Sequence, residues 1–248
     1  MPTVISTTPA PEHPPLWLPP IEGLHRRDPE HTYYLNGQPF PVSVTGVLGL
    51  GKSDYAMARI ESTRTEWEPR GNAAHRALEL ALTLACVSSP PEGLAGELEA
   101  LAEGPHAEWV GPLITHERWH QVQIIASERA TCCVARGVAG QFDCAYLDPS
   151  LPVPADRPPH ITGPARVLAD LKSLSANGST YSTAAQIGGY MALEAAWDNW
   201  YDFGQTIWAR PGACTFSALY SRSECLTSWA AAWARYRATP PTTGIRLS

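Results

Sequence analysis

Residues 166–173 form a short, largely apolar segment that contains Asp170-Leu171-Lys172 and holds one of only two lysines among 248 residues. Its length and composition are typical of a buried β-strand. Because alternate residues of a strand point to the same face, Asp170 and Lys172 are predicted to project side by side. A carboxylate that binds a hard cation then lies beside an amine that activates water. This pairing is the minimum chemistry of a metal-dependent phosphodiesterase.

The N-terminal third of the chain shows one hairpin signal. Asn36-Gly37 predicts a tight turn within residues 31–48, because this dipeptide adopts the backbone angles that two-residue hairpin turns require. Ser43 or Thr45 is then expected to cap a short helix, since hydroxyl side chains satisfy free amides at a helix start.

A helix is predicted from Gly71 to about Ala85, where alanine and apolar residues dominate. The sequence Pro69-Arg70-Gly71 is expected to begin it, because proline and glycine interrupt regular structure. This helix carries His75.

The remaining segments alternate between strand and helix patterns. They are predicted strands at 120–136 and 138–147, a proline-rich connection at 149–164, the Asp170 strand, a helix at 183–198, strands at 204–209 and 213–220, and a helix at 223–237. This order predicts an α/β or α+β layer arrangement. A mass of 26.9 kDa suits one domain, residues 21–248, after a disordered tail, residues 1–20, that contains seven prolines.

Overall charge and cysteine spacing restrict the class of protein. A net charge of -6 argues against nonspecific coating of nucleic acid, yet suits an acidic pocket that holds a metal. The six cysteines lack the clustered spacing of zinc or iron–sulfur ligands, so reduced thiols in a cytoplasmic protein are expected. No run approaches transmembrane length, so no membrane association is expected.

Four short motifs follow one another in the chain. They are Gly71-x-x-x-His75, Gly140-Gln141-Phe142-Asp143, Asp170-Leu171-Lys172 and Gln186-x-x-x-Tyr190. Each alone has an ordinary explanation: a packed histidine, a turn aspartate, or a pair of contacts one helical turn apart. Their order and spacing together carry the functional argument.

This order resembles the RecB-type branch of the PD-(D/E)xK nucleases over about residues 31–200. The resemblance extends to Glu128, which stands on the strand before Gly140, where that branch commonly has an active-site glutamate. The entry segment from Tyr34 to Leu48 looks like bacteriophage exonucleases of this group.

The resemblance implies a restriction-endonuclease-like fold, with a mixed central sheet flanked by helices. It implies a metal-dependent deoxyribonuclease, with exonuclease favoured over endonuclease, and Mg²⁺ or Mn²⁺ as cofactor without an iron–sulfur cluster. DNA is then the substrate, and a separate helicase or recombination protein is a candidate partner. For a phage-encoded chain, the expected location is the host cytoplasm.

Carried over to this chain, the resemblance gives each motif residue an expected role. Three side chains and one backbone carbonyl would bind the metal: His75, Asp143, Asp170 and Leu171. Lys172 would orient or deprotonate the attacking water, and Glu128 would be a further active-site group. Gln186 and Tyr190 would brace the site or contact DNA.

Two alternatives stay open at this stage. Gly46–Ser53 satisfies the phosphate-loop pattern GxxxxGK[ST], which predicts a nucleotide-binding protein if the segment follows a strand and opens a helix. A non-catalytic DNA-binding subunit of the same fold is the other alternative. Four arginines on or before the predicted His75 helix either line a DNA path or form a solvated face: Arg59, Arg64, Arg70 and Arg76.

Overall fold

The computed structural model describes residues 18–28, 31–87 and 89–239. Most of the predicted tail, residues 1–20, therefore lies outside the described residues. The Leu18 amide donates a hydrogen bond to the Ile125 carbonyl at 2.7 Å, and Arg129 donates to the Pro19 carbonyl. The chain thus contacts the domain from Leu18 onward, slightly before the predicted boundary.

The first strands form a small antiparallel sheet: β1 (Leu24–Arg27), β2 (Thr32–Leu35) and β3 (Gln38–Pro39). Asn36 and Gly37 connect β2 to β3 with φ values of 50° and 81°, which confirms the predicted hairpin turn. Strand β4 (Val42–Ser43) then leads directly into helix α1 (Val44–Gly49). The Ser43 side chain accepts a hydrogen bond from the Gly46 amide at 3.0 Å, so Ser43 is the cap.

Among the described residues, four α-helices lie between α1 and the long strands of the main sheet: α2 (Asp54–Ser62), α3 (Arg64–Cys86), α4 (Leu94–Glu103) and α5 (Ala107–Ile114). Helix α3 begins at Arg64 and contains Pro69, so the predicted start at Gly71 is wrong. A proline in a helix interior removes one backbone hydrogen bond without always ending the helix. An Arg64–Glu68 ion pair at 2.9 Å, one turn apart, helps to stabilise the segment around Pro69.

The main sheet and its helices occupy the rest of the chain. They are β5 (Gln123–Cys133), β6 (Val138–Asp148), β7 (Ala165–Ser173), α6 (Ala184–Glu194), β8 (Phe203–Arg210), β9 (Ala213–Phe216), β10 (Tyr220–Ser221) and α7 (Arg222–Ala238). Neighbours β5, β6 and β7 pair antiparallel, whereas β7 pairs parallel with β8 and β4 pairs parallel with β6. The predicted α/β class with a mixed central sheet flanked by helices is therefore confirmed.

Helices cover both faces of the sheet, and β7 is buried between them. Leu168 belongs to the apolar core shared with α6 and α7, while Val167, Ala169 and Leu171 belong to the core shared with α3 and α5. By this alternation Asp170 shares the α6 side with Leu168. No helix among the described residues has both the length and the apolar character needed to cross a membrane.

Candidate metal centre

Three side chains from three different elements converge beside the middle of strands β5 and β6. Helix α3 supplies His75, β5 supplies Glu128 and β6 supplies Asp143, and their donor atoms lie within 4.8 Å of one another. His75 Nδ1 is 2.9 Å from Asp143 Oδ1 and 3.5 Å from Glu128 Oε1. Two carboxylates suit Mg²⁺, and the imidazole makes the set equally suitable for Mn²⁺.

The electrostatics of this triad favour a positive charge at its centre. Burial alone would lower the pKa of His75, but Asp143 and Glu128 outweigh burial and raise it to about 10. Burial also raises the pKa of Glu128, and the neighbouring Asp143 charge adds to that effect. The raised pKa favours a proton on His75 between the two carboxylates, and a divalent cation held by these three side chains would replace that proton.

The backbone of Glu128 is strained. Its φ is 45°, in the left-handed region that non-glycine residues avoid, although it lies within a β-strand. The same strand shifts register by one residue between Ile124 and Ala126. Gln141 Nε2 donates a hydrogen bond to the Glu128 carboxylate. Such outliers persist where the surrounding structure fixes a side chain for a function, and here the conformation accompanies a carboxylate that reaches His75.

Asp170 and Lys172 lie beside the triad as an ion pair, in which Asp170 is buried and Lys172 is half-buried. Lys172 Nζ is 2.7 Å from Asp170 Oδ2, and Gln186 Nε2 donates to Asp170 Oδ1 at 2.7 Å. The Leu171 amide donates to Asp143, which ties β7 to the triad. Oδ2 of Asp170 is buried, and among the described residues its close partner is the Lys172 ammonium group.

The pKa values of this pair reflect burial and mutual attraction. Burial raises the pKa of Asp170 to about 6, although Lys172 acts in the opposite direction. For Lys172, burial favours the neutral amine, but Asp170 and Asp143 outweigh it and raise its pKa. The raised pKa favours the ammonium form of Lys172. A hydrogen-bond donor role fits that charge state better than the role of a base.

The three side chains that converge are His75, Asp143 and Glu128, whereas the sequence predicted His75, Asp143 and Asp170. Among the described residues, the compact donor set consists of His75, Glu128 and Asp143, while Asp170 is engaged by Lys172 and Gln186. Ligation by Asp170 and by the Leu171 carbonyl stays a prediction.

Gln186 and Tyr190 lie one turn apart on α6 and form a support behind Asp170. Gln186 Nε2 also donates to the Tyr190 hydroxyl at 3.0 Å. Tyr190 is 3% exposed, and a Cβ added at Gly140 would lie 2.8 Å from its ring. The buried position of Tyr190 therefore supports a role in bracing the site rather than in contacting DNA.

Gln141 is a site residue to which the sequence analysis assigned no role. It lies two positions before Asp143 on β6, and residues two apart on a strand share a face. This spacing is the sequence feature that places Gln141 on the same face as Asp143, where it contacts Glu128.

The structure of Gly46–Ser53 differs from that of a phosphate loop. Val44–Gly49 is an α-helix, whereas a phosphate loop needs open backbone amides between a strand and a helix. Ser53 instead caps α2, where its hydroxyl accepts a hydrogen bond from the Ala56 amide at 3.2 Å. Lys52 is exposed in the turn between α1 and α2.

The arginines near His75 divide into two groups. Arg64 is paired with Glu68, and Arg76 forms ion pairs with glutamates of α3 and α4. Arg70 differs, because its Nε lies 3.4 Å from the Ser173 hydroxyl and its guanidinium lies over the Trp109 ring. Arg70 therefore lies at the end of the strand that carries Lys172.

Comparisons with known proteins give no family for this chain. No family model matches it, and no curated protein matches it. Among solved structures, the crystal structure of SSO0001 has a TM-score of 0.31 and 11% identity, and covers 79% of this chain and 76% of that chain. A likeness at that level supports no argument about function.

Proposed function

We propose that this protein is a metal-dependent DNA nuclease, an exonuclease of the RecB-like PD-(D/E)xK type. The observation that carries the proposal is the convergence of His75, Glu128 and Asp143 directly beside the Asp170–Lys172 pair. Phosphodiester hydrolysis needs a cation site and a positioned water, and these two groups of side chains meet both needs. The preference for an exonuclease rests on the resemblance alone.

The three convergent side chains would hold the metal, with Asp170 Oδ2 at the rim. Bound Mg²⁺ or Mn²⁺ supplies charge neutralisation at the phosphate and a lowered pKa for water. Lys172 is kept positive by Asp170, and it would donate a hydrogen bond to the attacking water or to the scissile phosphate. Gln186 fixes the Asp170 carboxylate and thereby orients Lys172.

Arg70 is the basic residue best placed to contact the DNA backbone. It lies beside Ser173, one residue beyond Lys172, and has no ion pair within 4.0 Å among the described residues. A guanidinium binds phosphate oxygens in a bidentate manner. DNA, a separate helicase or recombination protein, and a cytoplasmic location remain part of this proposal.

End-labelled linear DNA and covalently closed DNA, each incubated with Mg²⁺ or Mn²⁺, test the proposed activity. We expect mononucleotide release from linear DNA only, and no release with a chelator. Asp143→Asn should abolish cleavage because it removes a carboxylate ligand. Lys172→Ala should lower the rate by about 10²–10⁴-fold, since a positioned proton donor or acceptor contributes that much.

Lys52→Ala is the matched control, because Lys52 is the other lysine and lies exposed in a turn outside the site. It should cleave like the wild type. Wild-type activity in Asp143→Asn, with an unchanged melting temperature, would remove the proposed metal centre.

A further inference from the structure

A groove of about 480 Å³ opens beside the Lys172 strand and has no assigned role. The residues most relevant to its chemistry are aromatic or carry a hydroxyl: Tyr181, Trp208, Thr215, Phe216, Ser217 and Tyr220. None of the described residues that line it is charged. The groove therefore suits a neutral, flat group with hydrogen-bonding edges better than it suits a phosphate.

Strand register places this groove next to the proposed site. Lys172 of β7 is paired with Trp208 of β8, and Trp208 is paired with Thr215 of β9. Paired residues of neighbouring strands share a face, and adjacent strands are about 5 Å apart. Lys172, Trp208 and Thr215 therefore form a row across the sheet. This row leads from Lys172 to the groove over a distance of about one nucleotide.

Tyr181 gives the groove an accessible aromatic surface. Its side chain is 53% exposed, and its ring packs edge-on against Trp208 with centroids 5.2 Å apart. It lies in the connection between β7 and α6, so the chain segment that leaves the Lys172 strand also forms the groove wall.

A hydroxyl network centred on the buried Thr206 holds two of the residues that line the groove, Ser217 and Tyr220. The Thr206 hydroxyl lies 2.7 Å from that of Thr183 and 3.1 Å from that of Tyr220, and the Thr206 amide donates to the Ser217 hydroxyl. The groove is therefore built before any ligand arrives, which reduces the entropic cost of binding.

We propose that this groove binds one unpaired nucleobase of the substrate strand, stacked on Tyr181, next to the phosphate that Lys172 faces. This inference rests on the proposed nuclease function and names its substrate class: DNA ends with a single-stranded or frayed terminus. A base in a duplex is already stacked on both sides, whereas an unpaired base has a free face for an aromatic ring.

A fluorescent base at the strand end tests the groove separately from catalysis. Duplexes with 2-aminopurine at an overhanging or a blunt terminus would be titrated with protein in Ca²⁺, without turnover. We expect fluorescence quenching and tighter binding for the overhang. Tyr181→Ala should weaken overhang binding about tenfold, and weaken it more than blunt binding, since one base–aromatic stack contributes that much.

Two further variants separate stacking from other effects. Tyr181→Phe keeps the ring and should restore quenching and affinity, whereas Tyr55→Ala removes a 76% exposed tyrosine of α2 and should change neither. Equal loss for overhang and blunt DNA in Tyr181→Ala, or no quenching in the wild type, would overturn the groove proposal. Quenching at the overhang without any metal-dependent cleavage would support the groove and contradict the nuclease.

Discussion

At the scale of single residues, Glu128 combines a strained backbone with a convergent carboxylate. A left-handed conformation costs a non-glycine residue roughly 1–2 kcal/mol, and glycine avoids that cost. We therefore expect Glu128→Gly to be about 1 kcal/mol more stable than Glu128→Ala, the reverse of the usual order in a strand. Chemical denaturation of the two variants without metal measures this difference.

Both variants lack the carboxylate, so both should lose Mn²⁺ affinity to a similar extent in a calorimetric titration. An alanine variant more stable than the glycine variant would mean that the φ of 45° relaxes once the side chain is gone.

At the scale of elements, the predictions that succeeded depend on local pattern. The strand of Asp170 and the helix of Gln186 follow from apolar periodicity, and the hairpin follows from Asn36-Gly37. The start of α3 does not follow from local pattern, because the helix begins at Arg64 and continues through Pro69. The convergence of Glu128 on His75 also could not be derived, since it depends on a register shift and a backbone angle within β5.

Helices α6 and α7 approach so closely that only glycine fits at their contact. A Cβ at Gly188 would lie 2.0 Å from the carbonyl oxygen of Cys225, and backbone cannot move aside cheaply. Gly188→Ala should therefore lower the free energy of unfolding by about 1–3 kcal/mol, as overpacked cores do. Urea denaturation measures the change.

Gly96→Ala is the matched control within α4, where no atom lies within 4 Å of the added Cβ. It should raise the free energy of unfolding by about 0.5–1 kcal/mol, because alanine favours the helix and restricts the unfolded chain. Destabilisation of similar size in both variants would show that the close helix contact is not the cause.

At the scale of the whole molecule, one buried ion pair fastens the long proline-rich connection to the sheet. Arg157 Nε donates to Asp202 at 2.9 Å, and its other nitrogens donate to the carbonyls of Gly163 and Pro164. Asp202 also accepts the Arg166 amide at 2.7 Å, at the start of β7. Asp202 therefore joins the connection between β6 and β7 to the segment that enters β8.

This pair predicts loss of stability in acid. Burial would raise the pKa of Asp202, but Arg157 and the Arg166 amide outweigh burial and lower it. A lowered folded-state pKa contributes stability that is present above the unfolded value near pH 4 and is lost as the pH falls through the folded value. We expect the free energy of unfolding, measured in urea from pH 7 to pH 3, to fall below about pH 4.

Asp202→Asn should be less stable at pH 7 and show a weaker fall in acid. Asp28→Asn, at a carboxylate with a 64% exposed side chain, should keep the wild-type pH profile. Identical acid profiles for the wild type and Asp202→Asn would assign the acid sensitivity to other carboxylates.

The contact of Leu18 with Ile125 has a consequence for self-association. Within the described residues, β5 pairs in the main sheet with β6 alone, and the Leu18 amide occupies the Ile125 carbonyl on the opposite edge. A strand with an open edge is a template on which a second chain adds by backbone pairing. We therefore expect a shortened chain without residues 18–20 to expose this edge of the strand that carries Glu128 and to self-associate more readily than the full chain.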